Sequence, residues 1–541
     1  MRLVRPIVRT LGDLRAASQN VARLREVGAI LVRHGYGSLV RGVPGVDAVD
    51  APPPPTTPER LAAALVDLGP TYVKLAQVLS TRPDVLPPAY VAAFEQLQDG
   101  VGPLPWEAMA AVLAEELGPD WDRRFAAVDQ APLGTASIAQ VHAAELPDGR
   151  EVVLKVQRPG IARQIDADLQ VLRFLAGRAL AEWPELAAAD PEGLLAEFER
   201  TLRGELDFRR EADHLRRFRA NFAHRDWVHV PDLHDDLVTE RVLCMERLHG
   251  VPIRRARAAG ADMEKVGRRY LDVVYEMLLV HGFFHGDLHP GNVLVLPGDE
   301  LGLLDFGMVG TMTDAMRGQV VALMFALQRG DHRTMARVLY DIALKDGRID
   351  FRAVEDATVE VVTAYFPPGV RLADIDMSGF SVELVTRCAQ LGARVPTSYM
   401  MVLKALVTAE GLAKSLLHEV DVIAAAAPYF ATVAADRLAP ERLQQEALYA
   451  LVTLRSLLDR LPVTVSQLLD DVDGQRLRVG VDARRSPEDR ALAERHHRRS
   501  VLAAFAAAAL IAGALTIASA PAATLALWVL AAACAGLALF A

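Results

Sequence analysis

Asp287 and Asn292 stand five positions apart in "HGDLHPGN", and Asp305 follows eighteen positions after Asp287, closing the short apolar run "LGLL". This trio limits what the chain can fold into. A carboxylate and an amide on one loop, with a second carboxylate at a strand end, bring hard oxygen donors toward one point, and such donors suit magnesium. Upstream, Lys155 ends "EVVLK", an apolar strand that delivers an ammonium group. A cation, two oxygen ligands and a carboxylate base are the parts that phosphoryl transfer requires, because that reaction depends on positioned charge more than on covalent chemistry. In this scheme Lys155 holds the α- and β-phosphates. Asp287 orients or deprotonates the acceptor, and Asn292 and Asp305 ligate the metal. Glu211 pairs with Lys155 from a downstream helix, with Glu205 as a rival for that role.

The order of lysine strand, D-x-x-x-x-N and D-F-G is that of protein kinases, but two features depart from them. Gly286 occupies the position of the arginine in H-R-D-L, and the loop after the first strand, "PLGTASIAQVH", has one glycine, Gly134, where G-x-G-x-x-G is usual. Backbone amides there can still face phosphate, while the side chains of Thr135, Ala136 and Ser137 limit the approach. Beyond Gly307 a helical pattern resumes almost at once, leaving little room for an activation loop. The A-P-E triplet at 439–441 lies too far downstream to serve as that loop's end. An extended peptide acceptor has no support in these features.

Around the site, patterning predicts a helical arm (1–50), a proline-rich linker (50–59) and a helical block to about 125. Next come a strand, a loop and a strand from 131, a Pro-Asp-Gly turn at 147–149 and a strand ending at Lys155. Helices over 161–183 and 191–219 precede short strands near 228–231 and 242–247. From about 261 the pattern is mostly helical, apart from the Asp287 loop and strands near 293–296 and 301–304. Residues 501–541 contain no charged side chain, and Pro521 divides them into two runs of 20 residues. At about 1.5 Å per residue, each run spans about 30 Å, the thickness of a bilayer core. The preceding "RHHRRS" is a basic flank of the cytoplasmic kind. Arg2, Arg5, Arg9, Arg15, Arg23 and Arg25 lie either along a membrane surface or on a solvated helix face. A net charge of −10 excludes a nucleic-acid binder by bulk charge, and three scattered cysteines, Cys244, Cys388 and Cys534, exclude a disulfide or zinc framework.

The motifs resemble those of the UbiB/AarF-like atypical kinases, also called the aarF-domain or coenzyme Q kinase-like family. "LGPTYVKLAQVLSTRPDVLPPAY" is similar to the family's K-x-G-Q segment, giving Lys74 and Gln77, with Ala76 in place of the glycine. "ELDF" is similar to its E-x-D motif, giving Glu205 and Asp207 and leaving Glu211 to Lys155. "PLGTASIAQVH" resembles its alanine-rich loop, diluted by Gly134 and Thr135, and glycine commonly precedes the catalytic aspartate. The missing arginine is thus expected of the family, since that arginine contacts a phosphorylated activation loop.

The resemblance implies an α+β, atypical kinase-like bilobal fold with an N-terminal helical extension and a C-terminal transmembrane hairpin. The expected divisions are an arm (1–50), an extension (51–128), an N-lobe (129–250), a C-lobe (251–480), a juxtamembrane linker (481–500) and two membrane helices (501–541). It implies a K-x-G-Q helix lying across the cleft, with Lys74 approaching Glu205 or Asp207 in a gating role. ATP and Mg²⁺ are the implied cofactors. The implied activity is that of an atypical kinase or ATPase supporting ubiquinone or related isoprenoid-quinone biosynthesis, rather than a protein kinase or a nucleotide-binding scaffold. Its expected partners are a membrane lipid or quinone precursor, quinone-biosynthesis proteins and a second copy of the chain, with no nucleic acid. The expected location is the inner (plasma) membrane, multi-pass, with the catalytic part in the cytoplasm.

Overall fold

Apolar residues recurring every three or four positions make the first part of the chain helical. The computed structural model describes residues 11–40, 57–80, 82, 86–95, 97, 102–182, 190–345, 349–367, 375–417, 421–437, and the single positions 444 and 455. Helix α1 (Leu11–Arg33) is followed by α2 (Pro58–Leu68), α3 (Pro70–Ser80), α4 (Pro88–Glu95) and α5 (Trp106–Leu117). The expected linker over 50–59 thus gives way to helix at Pro58. Proline is favoured at a first helical position, and the Thr57 side chain accepts from Arg60 N there.

Strands β1 (Ala127–Thr135), β2 (Ala139–Glu145) and β3 (Glu151–Gln157) follow, then α6 (Ile161–Glu182), α7 (Pro191–Glu205) and α8 (Phe208–Phe222). With β4 (Val228–His229) and β5 (Val242–Glu246) in place, the first sheet runs β1-β2-β3-β5, antiparallel throughout. Register slips on either side of Pro132, which lacks an N–H to give the ladder. Strand β3 outlasts Lys155 because Val156 still pairs with Val242. Its side chains alternate between faces. Val152, Leu154 and Val156 pack under α5 with Met109 and Leu113, whereas Val153 turns toward Phe208 and Ala212 of α8. Lys155 shares the face of Val153.

The single helix expected over 191–219 is two helices. Asp207 adopts an extended conformation (φ −116°, ψ 98°), and its side chain accepts from Arg209 N. An aspartate that caps a helix start competes with continuation of the preceding helix, so the chain turns here and α8 sets off toward β3.

Next come β6 (Val251–Pro252), α9 (Met263–Tyr275), a π-helical turn (Glu276–His281), β7 (Phe283–His285), β8 (Val293–Leu296), β9 (Glu300–Leu303) and β10 (Val309–Thr311). A second sheet has the order β4-β9-β8-β6, and β7 pairs with β10. Strand β4 is shorter than expected because only Val228 and His229 find parallel partners on β9. The π turn and β7, which local patterning does not predict, are set by Gly282 (φ 58°), where an added Cβ would lie 2.9 Å from Met312 O. The remaining elements are α10 (Asp314–Arg329), α11 (His332–Ile342), β11 (Leu344–Lys345), α12 (Phe351–Tyr365), α13 (Met377–Gln390), β12 (Ala393–Arg394), α14 (Thr397–Leu416) and α15 (Val422–Arg437).

Residues 1–442 form one unit and 443–541 a second. The expected linker (481–500), membrane hairpin (501–541) and the A-P-E triplet (439–441) lie outside the described residues, as does Cys534; Cys244 and Cys388 are buried thiols. Among the described residues no helix is long and apolar enough to cross a membrane.

One buried cluster binds the helical extension to α6. Asp168, fully buried on α6, accepts from Arg23 Nε of α1 at 2.6 Å and from Thr71 Oγ1 of α3 at 2.7 Å. Arg23 also donates to Leu68 O at the end of α2. Arg23 is therefore a packing residue and not part of a membrane-facing basic stripe. Breaking a buried ion pair from one side is costly because the other charge stays desolvated. Asp168→Ala is expected to lower the unfolding free energy by about 3–5 kcal/mol, read as an earlier urea midpoint. A midpoint equal to wild type would show that Arg23 and Thr71 do not rely on this carboxylate.

Candidate active site

Strand β3 and helix α8 bring Lys155 and Glu211 together, with Lys155 Nζ 2.8 Å from both carboxylate oxygens of Glu211. The same ammonium lies 3.3 Å from Asp305 Oδ1, so three groups separated widely in sequence meet at one nitrogen. Burial works against the Lys155 charge, yet Asp305 and Glu211 outweigh it and hold its pKa above the ordinary lysine value. Burial pushes Glu211 upward against the pull of Lys155. Lys155 keeps Asp305 far below the usual carboxylate range, with help from the Gly307 N–H and Lys74. Asp305 is thus an anion at any physiological pH.

The loops carrying Asp287 and Asp305 are held by a residue that sequence reasoning missed. His285, fully within the core, accepts from Asp287 N at Nδ1 (3.0 Å) and donates from Nε2 to Asp305 O (2.6 Å). Burial lowers its pKa and keeps it in the neutral form that this pair of bonds requires. Its only signal in the sequence was its place two residues before Asp287. Phe306 N donates to Glu211 Oε1 at 3.3 Å, and His214 Nδ1 of α8 donates to Phe306 O at 2.9 Å. Phe218 packs at a tilt against both Phe283 and Phe306, so α8, β7 and the D-F-G turn form one packed column. Asp305 itself has φ 54°, a left-handed conformation that is strained for a residue with a Cβ.

Asn292 donates from Nδ2 to Asp287 O (3.1 Å), which commits its amide nitrogen and not its oxygen. Asp287 pairs with Lys404 of α14, Nζ to Oδ1 3.2 Å, a contact that no local pattern foretells. Among the described residues no three His, Cys, Asp or Glu side chains gather as a metal cage. Magnesium does not need one. It keeps several waters and takes one or two protein carboxylates or amides together with phosphate oxygens. Asp305 and Asn292 fit that donor set.

Lys74 of α3 meets Glu205, the last residue of α7, at 3.0 Å. Asp207, its alternative partner, instead forms two bonds to Arg209, at 2.8 and 2.9 Å. Gln77 donates to Leu97 O at 3.4 Å and so faces α4 and the segment after it. Ala76 is fully buried in the helical core, where its methyl is accommodated. Gly134 and Thr135 end β1, paired with Val141 and Gln140. Ala136 O accepts from Arg158 Nε at 3.0 Å, and Ser137 is buried in a crevice that it shares with Thr71 and Lys74. The β1–β2 loop is therefore pinned between Arg158 and α3.

Gly286 has a physical cause. A Cβ added there would lie 3.0 Å from Met308 Cγ and 3.2 Å from Met401 Cε, because α14 packs against the catalytic loop. Gly286→Arg is expected to destabilise the protein by about 1–3 kcal/mol through overpacking. Adding Met401→Ala should recover part of that loss. Melting curves of the wild type, the single variant and the double variant check it, and a Gly286→Arg protein as stable as wild type would show the loop to be open on that side.

The sequence matches the ABC1 atypical kinase-like domain over residues 96–339. It is 32% identical over 392 residues to "Probable protein kinase UbiB" of Marinobacter nauticus, covering 71% of each chain. It is 30% identical over 413 residues to "Uncharacterized protein in hydrogenase 1 5'region" of Clostridium pasteurianum, covering 76% of each. A solved structure, the complex of Rv3197 with erythromycin from Mycobacterium tuberculosis, aligns with a TM-score of 0.48 at 23% identity, over 68% of this chain and 93% of that one. With the lysine strand, the H-G-D loop and the D-F-G turn assembled in a kinase-like α+β fold, the chain belongs to the UbiB/AarF-like atypical kinases of the ABC1 family.

Proposed function

We propose that this protein is a membrane-anchored, Mg-ATP-dependent atypical kinase or ATPase that serves isoprenoid-quinone lipid metabolism. The observation that carries the reading is the meeting of Lys155, Glu211 and Asp305 at one ammonium group, with Asp287 tied to it through His285 and Asn292 through Asp287 O. Lys155 would bind the α- and β-phosphates, held in place by Glu211. Asp305 and Asn292 would hold magnesium, which supplies neutralisation of phosphate charge when bound. Asp287 would orient the acceptor hydroxyl or water and take its proton. The acceptor oxygen then bonds to the γ-phosphorus, the bond from that phosphorus to the β–γ bridging oxygen breaks with its electron pair staying on ADP, and Asp287 returns the proton to solvent.

Two features favour a small or lipid acceptor over an extended peptide. Helix α3 lies against the β1–β2 loop with Lys74 close enough to Asp305 to lower its pKa. Helix α14 covers Gly286, and α10 begins at Asp314, soon after Gly307. Support for the membrane comes from the charge-free residues 501–541, and support for the quinone from the family resemblance.

Asp305→Asn is expected to abolish the thermal stabilisation that Mg-ATP gives the wild type, about 2.7 kcal/mol at a hundredfold excess over Kd. Lys74→Ala should keep that stabilisation while changing ATP turnover. In a deletion strain, wild type should restore quinone lipids and Asp305→Asn should not. Equal stabilisation of wild type and the Asp305 variant would remove it from metal binding, and unchanged lipids on deletion would reject the quinone assignment.

Removing residues 501–541 deletes both apolar runs and should move the protein from the membrane pellet to the soluble fraction. A truncated chain that survives high-salt and carbonate washes in the pellet would place the anchor elsewhere.

A further inference from the structure

The catalytic-loop segment 286–292 contains no lysine or arginine. Its histidine, His289, is committed within the loop, since Nδ1 accepts from Gly291 N at 2.9 Å. The positive charge beside Asp287 comes from far along the chain, from Lys404, and its placement is not that of a wandering surface lysine. Helix α14 is fixed along its first two turns. The Thr397 hydroxyl donates to Glu197 of α7 at 3.2 Å, Tyr399 bonds Gln319 of α10, and Met401 rests against Gly286. Lys404 follows Met401 by three positions, on the same helical face. Its Nζ reaches Oδ1 of Asp287, while 37% of the Asp287 side chain stays exposed, so the carboxylate is held on one side and open on another.

We infer that Lys404 is a positioning residue for phosphoryl transfer. It fixes one oxygen of Asp287 so that the other faces the acceptor hydroxyl, and it offsets negative charge beside the transferring phosphoryl group. The inference rests on the phosphoryl-transfer reading given above. It also gives the covering of Gly286 a purpose. The helix that displaces the usual arginine brings its own cation to the aspartate, so the loop and α14 form one unit of the site.

The test uses the full-length protein in detergent, with steady-state Mg-ATP hydrolysis and Mg-ATP-induced thermal shift measured on the same samples. Lys404→Met and Lys404→Gln should lower kcat about 100-fold, in the range that a well-placed base contributes, with KM for ATP and the thermal shift unchanged. Lys404→Arg should recover most of the loss, because it restores the charge. A kcat equal to wild type in the Met and Gln variants overturns the inference. So does a loss of kcat that comes with a lowered melting temperature and no rescue by arginine, since that marks a packing role. A wild type that gains no stability from Mg-ATP, or gains it without turnover, rejects the phosphoryl-transfer reading itself and this inference with it.

Discussion

Lys155 is a largely buried cation, and such a cation is tolerated only where anions meet it. Glu211 and Asp305 supply them from α8 and from the D-F-G turn, so one ammonium group binds the first sheet, the helix behind it and that turn. The column of Phe218, Phe283 and Phe306 behind these charges has the same effect in apolar form, because aromatic packing fixes α8 against β7 and the turn. His285 completes the arrangement by joining the two acidic loops through its two ring nitrogens. Loss of the Glu211 or His285 contacts would leave a charge or a polar group unpaired in the interior, which favours one arrangement of the strand, the helix and the two loops.

Around this centre two helices from opposite ends of the chain approach the site. Helix α3 arrives from the N-terminal extension, held by Thr71 to Asp168, and presents Lys74 to Glu205 and to the crevice beside Ser137. Helix α14 arrives from the C-terminal part and presents Met401 and Lys404 to Gly286 and Asp287. In a kinase acting on extended peptides this region must admit a second chain. Here it carries the protein's own helices.

Much of the site was legible because its chemistry demands particular residues at fixed local intervals. The Asp287–Asn292 spacing, the Asp305 turn and the Lys155 strand are short-range patterns, and the β2–β3 hairpin is marked by Pro147, Asp148 and Gly149. The break between α7 and α8 was not legible, because "GELDFRREADHL" has a continuous helical period and only the capping by Asp207 interrupts it. The π turn after α9 escaped for a similar reason. It keeps a helical hydrophobic pattern, and its end is set by the tertiary contact between Gly282 and Met312.

The sequence by itself determined the kinase-like motif set, the first sheet and the helical character of the segments flanking the site, since periodicity, turn residues and ligand types are local properties of the chain. Only the tertiary structure decided which carboxylate meets which cation. Glu205 and Glu211 are both acidic and six positions apart, and either has the reach to pair with a lysine. The turn at Asp207 sends Glu205 to Lys74 and Glu211 to Lys155. Arg23 reads as a surface charge until Asp168 is folded against it, and Lys404 reads as one until α14 seats on the catalytic loop. Charge pairing across long stretches of chain depends on distance in space, and that distance is set by packing rather than by spacing along the sequence.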